Sequence, residues 1–217
     1  MRLAALAGVM VVFAAMPAAA APAQYDLAFV SEFAEACVPQ RLSYPGTKET
    51  AVKAGWTEVQ RSAHPELDAM MAISEREAAA PDLNATFEYT LYGKPIEGLD
   101  HYLVVARMSS IIGEPEDPLN PWVYIGCYLY NLDAVAPIDP EPVTALIGKP
   151  ISNSRIDMHI NGWVWGPPCA MPRTGDTYLT FIPEVSQYKE QGGFTGLVLK
   201  FDTSEPAAGE VVPSTYC

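Results

Sequence analysis

One alternating stretch constrains this chain more than any other part of its sequence: residues 122–132 read WVYIGCYLYNL. Its aliphatic and thiol side chains occupy every second position, so a β-strand would place all of them on one face. The other face would carry four aromatic side chains, those of Trp122, Tyr124, Tyr128 and Tyr130. β-Branched and aromatic residues fit a pleated, half-buried surface. We therefore predict a central strand that turns its aliphatic face towards helices and its aromatic face towards another element or a ligand.

The segments around this strand divide into helical and strand-like patterns. Apolar residues at helical spacing, with capping and stop signals, predict helices over residues 24–37, 47–54, 65–79 and 141–147. Period-two patterns predict a hairpin of strands 85–92 and 101–108, and further strands over residues 155–165, 176–182 and 194–201. Most links between strands are too short for the helical crossovers of a parallel sheet. The sequence therefore predicts an α+β fold: a mainly antiparallel sheet of about five to six strands with N-terminal helices packed on one face, stapled by disulfides.

The first segment has the pattern of a secretory signal peptide, predicted over residues 1–23. Arg2 supplies a positive start, residues 3–15 are apolar, and the alanines that follow offer cleavage near residues 20–23. An uncleaved membrane anchor is the alternative, since about 20 apolar residues just span a bilayer. We expect cleavage, which leaves residues 24–217 as a single α+β domain with a C-terminal tail. The mature protein is then periplasmic or secreted and has no membrane attachment.

Four cysteines follow this segment, and their even number in an exported chain predicts two disulfides. Three connectivities are possible. Cys37 ends the buried stripe of the first predicted helix, and Cys127 lies on the helix-facing side of the central strand. Cys169 lies in a proline-rich loop, where a bond to Cys217 would keep the C-terminal tail from fraying. We therefore predict the pairs Cys37–Cys127 and Cys169–Cys217.

The charge of the chain limits its partners. Its formal net charge is −13, from 13 Lys and Arg against 26 Asp and Glu. Such a chain repels phosphate backbones and anionic lipid, which argues against binding to nucleic acid or a membrane surface. It attracts cationic partners, although solubility alone also explains an acidic surface.

No motif in the sequence specifies catalysis. There is no GxSxG, no GxGxxG and no Walker A sequence, and the histidines do not form HExxH. Asp157 and His159 would share one face of a strand over residues 155–165, as an acid–base or metal pair. Glu88 with Asp100 or Glu114 is a possible glycosidase pair. Structural roles explain all of these residues better, so we predict no catalytic residue, no metal site and no cofactor.

The aromatic residues give the strongest functional indication. Tyr102, Trp163 and Trp165 would join the aromatic face of the central strand if their strands are its neighbours in the right register. Such a platform stacks on sugar rings or buries a protein loop. The alternative is a second core beneath another element, since large open aromatic patches are uncommon on monomers. The candidate ligand- or partner-binding residues are Trp122, Tyr124, Tyr128, Tyr130, Trp163 and Trp165.

These features favour an exported, non-catalytic binding or inhibitor-like protein. Its predicted partner is a cationic protein or a cell-envelope glycan. One alternative is a cell-envelope hydrolase that uses paired carboxylates in a cleft. Another is a structural envelope protein, which would self-associate through a large apolar patch.

Overall fold

A computed structural model of the chain describes residues 23–81, 85–111, 116, 120–215 and 217. The predicted signal peptide, apart from Ala23, lies outside these residues. The helices are α1 (Gln24–Cys37), α2 (Tyr44–Lys53), α3 (Pro65–Ala78), α4 (Glu141–Ile147) and α5 (Lys189–Gly192). The strands are β1 (Thr57–Glu58), β2 (Ala85–Ile96), β3 (Leu99–Ser110), β4 (Trp122–Asn131), β5 (Asn153–Ile156), β6 (Asn161–Trp165), β7 (Thr174–Ile182) and β8 (Gly196–Ser204). None of the described helices is both long and apolar enough to cross a membrane.

Eight strands form one open sheet in the order β1-β2-β3-β4-β8-β7-β6-β5, with every neighbouring pair antiparallel. The predicted central strand, β4, lies between β3 and β8 and pairs with both. The predicted α+β class and its antiparallel sheet are therefore confirmed. The sheet has eight strands in place of five or six, partly because β1 has two residues and leaves no period-two pattern in the sequence.

The predicted strand over residues 155–165 is in fact a hairpin of two strands, β5 and β6. Asp157 holds its turn, because Asp157 Oδ1 accepts hydrogen bonds from the backbone N–H groups of His159 at 2.8 Å and Ile160 at 3.0 Å. An aspartate that bonds the backbone two residues on favours a turn over continued strand. Asp157 and His159 therefore do not share a strand face, and the acid–base or metal pair predicted from that face is not formed.

The aliphatic face of β4 packs against α1 and forms the main core. Ile125 and Leu129 of this face are at most 1% exposed. Phe33 of α1 meets Phe201 of β8 edge to face, with ring centroids 5.2 Å apart. Burial of large apolar side chains of this kind stabilises the fold by about 1.5–3 kcal/mol for each side chain. Helix and sheet are thus joined through the face that the alternating sequence pattern marks as apolar.

Both predicted disulfides are confirmed. Cys37 at the end of α1 is bonded to Cys127 of β4, with the Cα atoms 5.8 Å apart. Cys169 is bonded to Cys217, with the Cα atoms 4.9 Å apart. Such bonds persist in oxidising compartments, which indicates an extracytoplasmic location for the protein.

α3 packs on the opposite face of the sheet, over the aromatic side of β4. Its buried stripe of Leu67, Met70 and Met71 belongs to one apolar cluster with Val104 of β3 and Tyr130 of β4. An apolar stripe indicates that a helix is buried on one side, but not which face of a sheet covers it. The predicted placement of N-terminal helices on a single face therefore holds for α1 and α2, whereas α3 creates a second core.

Candidate functional site

α3 divides the aromatic face of β4 into a covered half and an open half. Tyr130, in the covered half, is 8% exposed and meets Phe194 edge to face, with ring centroids 5.3 Å apart. Trp122, Tyr124 and Tyr128, in the open half, are partly exposed to solvent. The sequence allowed either a second core or an open platform on this face. The fold contains a second core beneath α3 and an exposed aromatic surface beyond it.

The open half forms a groove because its floor is built partly from small residues. Ala106 of β3, Gly126 of β4 and Asp202 of β8 are direct partners in register and form one row across the sheet. The larger side chains of the adjoining row stand beside this floor; they are Phe87, Met108 and Tyr124. A cavity of about 340 Å³ lies over the two rows and is also lined by Tyr128. We refer to the surface formed by these two rows and Tyr128 as the aromatic groove.

Tyr128 lies across Gly126 and bonds to Asp202. A Cβ atom at position 126 would lie 2.2 Å from Tyr128 Oη, so the ring occupies space that only glycine leaves free. The Tyr128 hydroxyl donates a hydrogen bond of 2.6 Å to Asp202 Oδ1. Burial, and then the negative charge of Asp202, raises the pKa of Tyr128 well above its ordinary value, so the hydroxyl remains a donor. Among the described residues, none donates a hydrogen bond to Asp202 Oδ2, which is left as an acceptor.

Lys200 brings a positive charge to the same surface, two residues before Asp202 on β8. Its Nζ lies 5.7 Å from the ring centroid of Tyr128 and 5.4 Å from that of Tyr178. These three residues are partners in one row across β4, β8 and β7. Within the described part of the chain Lys200 forms no ion pair, so cation–π attraction to the two rings holds its ammonium group. Lys200, in the next row on this face, thus places a donor group beside the acceptor group of Asp202.

A second cavity, of about 320 Å³, adjoins the groove on the side of α3. Ala106 and Tyr128 line both cavities, which makes them parts of one continuous surface. Residues 191–194 form part of the wall, and Gly193 holds them close to the helix. With a φ of 75°, Gly193 adopts a backbone conformation that favours glycine, and a Cβ atom there would lie 2.8 Å from Ile73 Cδ1. The wall of this cavity is thus packed against α3.

A third cavity, of about 470 Å³, lies at the Trp122 end of β4. The rings of Trp122 and Tyr124 are nearly parallel, with their planes 18° apart and their centroids separated by 6.2 Å. The opposite rim carries Arg173, which is paired with Glu210. This end of the face therefore combines a large aromatic surface with a rim whose opposite charges neutralise each other.

Trp163 and Trp165 do not join the aromatic face, in contrast to the sequence-based expectation. In the register of β6 with β7, Trp163 is the partner of Leu179, which belongs to the core beneath α1. Trp165 is fully buried in the same core, and its Nε1 donates a hydrogen bond of 3.1 Å to Thr144 Oγ1 of α4. Tyr102 does lie on the aromatic face, in the half that α3 covers. Of the six candidate residues, three therefore lie together on the open surface: Trp122, Tyr124 and Tyr128.

The three histidines have separate structural surroundings. His64 caps α3, where its Nδ1 accepts a hydrogen bond of 3.2 Å from the backbone N–H of Glu66. His101 is buried with its Nε2 at 2.8 Å from Tyr25 Oη, and burial lowers its pKa. His159 lies in the turn between β5 and β6. Throughout the ranges that the structure describes, no three His, Cys, Asp or Glu side chains converge in a way that would hold a metal ion.

Glu88 and Asp100 do not form the glycosidase pair that the sequence allowed. Glu88 is opposite Arg107 and Asp100 is opposite Pro95, so seven residues of β2 separate them, which corresponds to about 24 Å. The two carboxylates of a glycosidase lie only about 5–9.5 Å apart. Glu114, the other candidate, lies outside the described residues.

Residues 186–189, Ser-Gln-Tyr-Lys, have the Ser-x-x-Lys spacing of some acyl-transfer enzymes, and the sequence-based hypotheses did not include them. Their geometry is not that of a nucleophile and its base. Ser186 Oγ donates a hydrogen bond of 2.6 Å to the carbonyl oxygen of His159. The hydrogen bond between Lys189 and Glu184 raises the pKa of Lys189, which keeps the amine protonated. The spacing is therefore a local structural feature.

The chain matches no protein-family model, no curated protein and no solved structure. The chemistry of the site therefore has to follow from the residues of the groove. Those residues offer aromatic ring faces, two tyrosine hydroxyls and one carboxylate on a sheet surface bordered by α3, with the ammonium group of Lys200 beside them.

Proposed function

We propose that this chain is an exported, non-catalytic binding protein whose ligand is a carbohydrate held in the aromatic groove. The observation that carries the proposal is the open half of the aromatic face, where Tyr124 and Tyr128 are partly exposed beside the open acceptor of Asp202. A sugar ring has an apolar face that stacks on aromatic side chains and a hydroxyl edge that bonds to a few convergent polar groups. The groove supplies both kinds of contact.

The proposal includes export to the periplasm or the cell exterior. A cleaved signal peptide over residues 1–23 provides the route, and the two disulfides fit the destination. Sequencing the amino terminus of the protein recovered from its host tests this part. We expect a mature chain that begins near residues 21–24, and a protein that retains Met1 would contradict it.

Three exposed carboxylates outside the groove lack the raised pKa of a general acid. The pKa values of Glu75, Asp157 and Glu184 are all lowered. The main causes are hydrogen bonds from the Tyr89 hydroxyl, the backbone of His159 and Lys189, respectively, which stabilise the charged forms. A general acid needs the opposite shift, towards a raised pKa. These groups are suited to ion pairing.

A cationic protein is the second candidate ligand, and the net charge of −13 favours it. Long-range attraction of this kind raises association rates and weakens as salt is added. Lys200 counts against this ligand at the groove itself, because it places a positive charge on the surface that a cationic partner would have to cover. Binding of the wild-type protein and of Tyr124→Ala to hen lysozyme, measured at increasing salt, would show whether the groove contacts a cationic partner.

Retention on insoluble polysaccharides tests the carbohydrate proposal directly. We expect the wild-type protein to be retained by at least one of peptidoglycan, chitin and cellulose. Tyr124→Ala should weaken retention by about tenfold, as truncation of a central aromatic contact does. Tyr188→Ala is the matched control, since Tyr188 is also partly exposed but lies against Arg155, outside the groove. Failure of all three polysaccharides to retain the protein, or equal retention of Tyr124→Ala, would contradict the proposal.

A further inference from the structure

The two joined cavities lie in line on the aromatic face along β4 and β8. The third follows at the Trp122 end of β4, shares no lining residue with the groove, and is also lined by Val123 and Glu205. From the α3 side outwards, the β4 residues of the aromatic face that line the cavities are Tyr130, Tyr128, Gly126, Tyr124 and Trp122. Their β8 borders, in the same order, are Lys200, Asp202 and Ser204. Residues two apart on a strand are separated by about 6.8 Å, so the line of β4 residues is about 27 Å long. The open surface is therefore elongated along the strand direction, and the neighbouring rings of Trp122 and Tyr124 link the groove to the third cavity. We refer to this elongated surface as the channel.

We propose that this line of cavities binds a linear, neutral glycan chain, several sugar units long, laid along β4. The inference rests on the proposed function and adds the length, shape and charge of the ligand. A single sugar ring would fill only one of the three cavities, whose volumes are about 320, 340 and 470 Å³. A chain would bring successive rings onto the aromatic side chains that recur along the strand.

The charges of the channel favour a neutral chain. Lys200 and Asp202 lie two residues apart on one strand, both facing the ligand surface. A polyanion would meet the carboxylates of Asp202 and Glu77 and the negative charge of the whole protein, and a polycation would meet Lys200. The other charged residues that line the cavities, Arg173, Glu205 and Glu210, are already in ion pairs. A neutral chain rich in hydroxyl groups can donate to Asp202 Oδ2 and accept from Lys200 Nζ without a like-charge contact.

The backbone of the channel disfavours an extended peptide as the ligand. Peptides that bind sheets add a strand at an exposed edge, where unpaired backbone groups give most of the affinity. β4 is paired with β3 on one side and β8 on the other, so it has no such edge. A ligand on this face must therefore bind through ring faces and side chains, as a glycan does.

Trp122 marks the outer end of the channel. Its ring lies beside that of Tyr124 at a centroid distance of 6.2 Å, with the planes 18° apart, so the two faces can contact neighbouring units of one chain. The geometry assigns Trp122 to a subsite that only a longer chain reaches. Its contribution should therefore depend on ligand length, which a purely structural role for the side chain would not produce.

Titration calorimetry with oligosaccharides of graded length tests the inference. The probes are β-1,4-linked N-acetylglucosamine and β-1,4-linked glucose, each as one, three and five units. We expect the Kd of at least one series to fall by about tenfold or more from one unit to five units. Trp122→Ala should remove most of that gain without changing the melting temperature, because Trp122 is partly exposed. Tyr188→Ala should behave as the wild type.

The outcomes separate this inference from the proposed function. If one unit binds as tightly as five units, and Tyr124→Ala abolishes binding, the groove holds a single ring: the linear chain is overturned and the proposed function stands. Unchanged affinity of Trp122→Ala for the five-unit probe also overturns the linear chain. If neither series binds at any length, both proposals fail. Penta-lysine is the control for a cationic segment; its binding, lost in Tyr124→Ala, would replace the glycan by a peptide.

Discussion

Tyr128 fills the space beside Gly126 that a side chain there would need: the Tyr128 hydroxyl lies 2.2 Å from the position that a Cβ atom of residue 126 would take. The ring can reach Asp202 only because residue 126 has no side chain. This relationship links sequence to groove, since the same missing side chain lowers the floor and lets the tyrosine lie along it. Gly126 is therefore as important to the shape of the surface as the aromatic residues are.

Substitution of this glycine should expel the ring. We expect Gly126→Ala to lower the free energy of unfolding by about 1–3 kcal/mol, as forced overpacking does. Gly162→Ala is the matched control in β6, where the nearest atom would be 3.9 Å away, and it should be neutral or slightly stabilising. Urea denaturation measures both. In a Tyr128→Ala background Gly126→Ala should cost little, and an undiminished cost there would contradict the proposed clash.

The central strand and both disulfides were predictable from the sequence because each depends on local periodicity. Period two identified the faces of β4, and helical spacing placed Cys37 on the buried side of α1. The faces of separate strands could not be matched in this way. Trp163 and Trp165 alternate as well as the β4 residues do, but which face they share depends on the registers of β6, β7 and β8, and a slip of one residue reverses it.

Sequence reasoning missed the polar half of the groove for a related reason. On β8, Lys200 and Asp202 alternate with buried apolar residues. This alternation indicates that one face of the strand is partly polar. Their meaning depends on β8 lying beside β4, although about seventy residues separate the two strands in the chain. Gly126 did carry a local signal, since an isolated glycine inside a strand often marks close approach of another group.

Asp202 should separate the two candidate ligands of the groove. Asp202→Asn keeps an oxygen that accepts from Tyr128 but removes the negative charge, whereas Asp202→Ala removes both. For a neutral glycan we expect Asn to retain affinity within about threefold, because a sugar hydroxyl can accept from the amide group that replaces Oδ2, and Ala to lose about tenfold. For a cationic protein both variants should weaken binding alike and reduce its salt dependence. Calorimetry at two salt concentrations distinguishes these patterns. Equal weakening by both variants, with a reduced salt dependence, would contradict the proposed glycan.

His101 should make stability depend on pH. Burial lowers the pKa of His101 below its ordinary value of 6.5, because the folded core favours the neutral imidazole. Its Nδ1 lies 2.8 Å from the Leu99 carbonyl oxygen and its Nε2 lies 2.8 Å from Tyr25 Oη, so the neutral ring is bonded on both sides. The unfolded chain takes up the proton more readily. The contribution of this group is therefore complete above pH 6.5 and is lost as the pH falls below it.

His101→Gln isolates this contribution from that of the carboxylates, which titrate in both proteins. We expect the unfolding free energy of the wild type, measured in urea from neutral to acidic pH, to fall more steeply than that of the variant just below pH 6.5. The nearby Asp100 favours the charged imidazole and thus reduces the effect without reversing its sign. Parallel curves for the two proteins would show that His101 titrates alike in the folded and unfolded chains.

The two disulfides should differ in their contribution to stability, even though they close loops of comparable entropic weight. For sequence separations of 90 and 48 residues, chain entropy gives about 4–5 kcal/mol in each case. Cys37 and Cys127 are at most 1% exposed, so replacing both by alanine also removes core contacts and should cost about 4 kcal/mol or more. Cys217 instead ends an exposed tail, which regains its freedom in the folded state once the bond is removed. The variant with Cys169 and Cys217 replaced by alanine should therefore lose only about 1 kcal/mol in urea denaturation. An equal loss in the two double variants would mean that the tail stays docked without its bond.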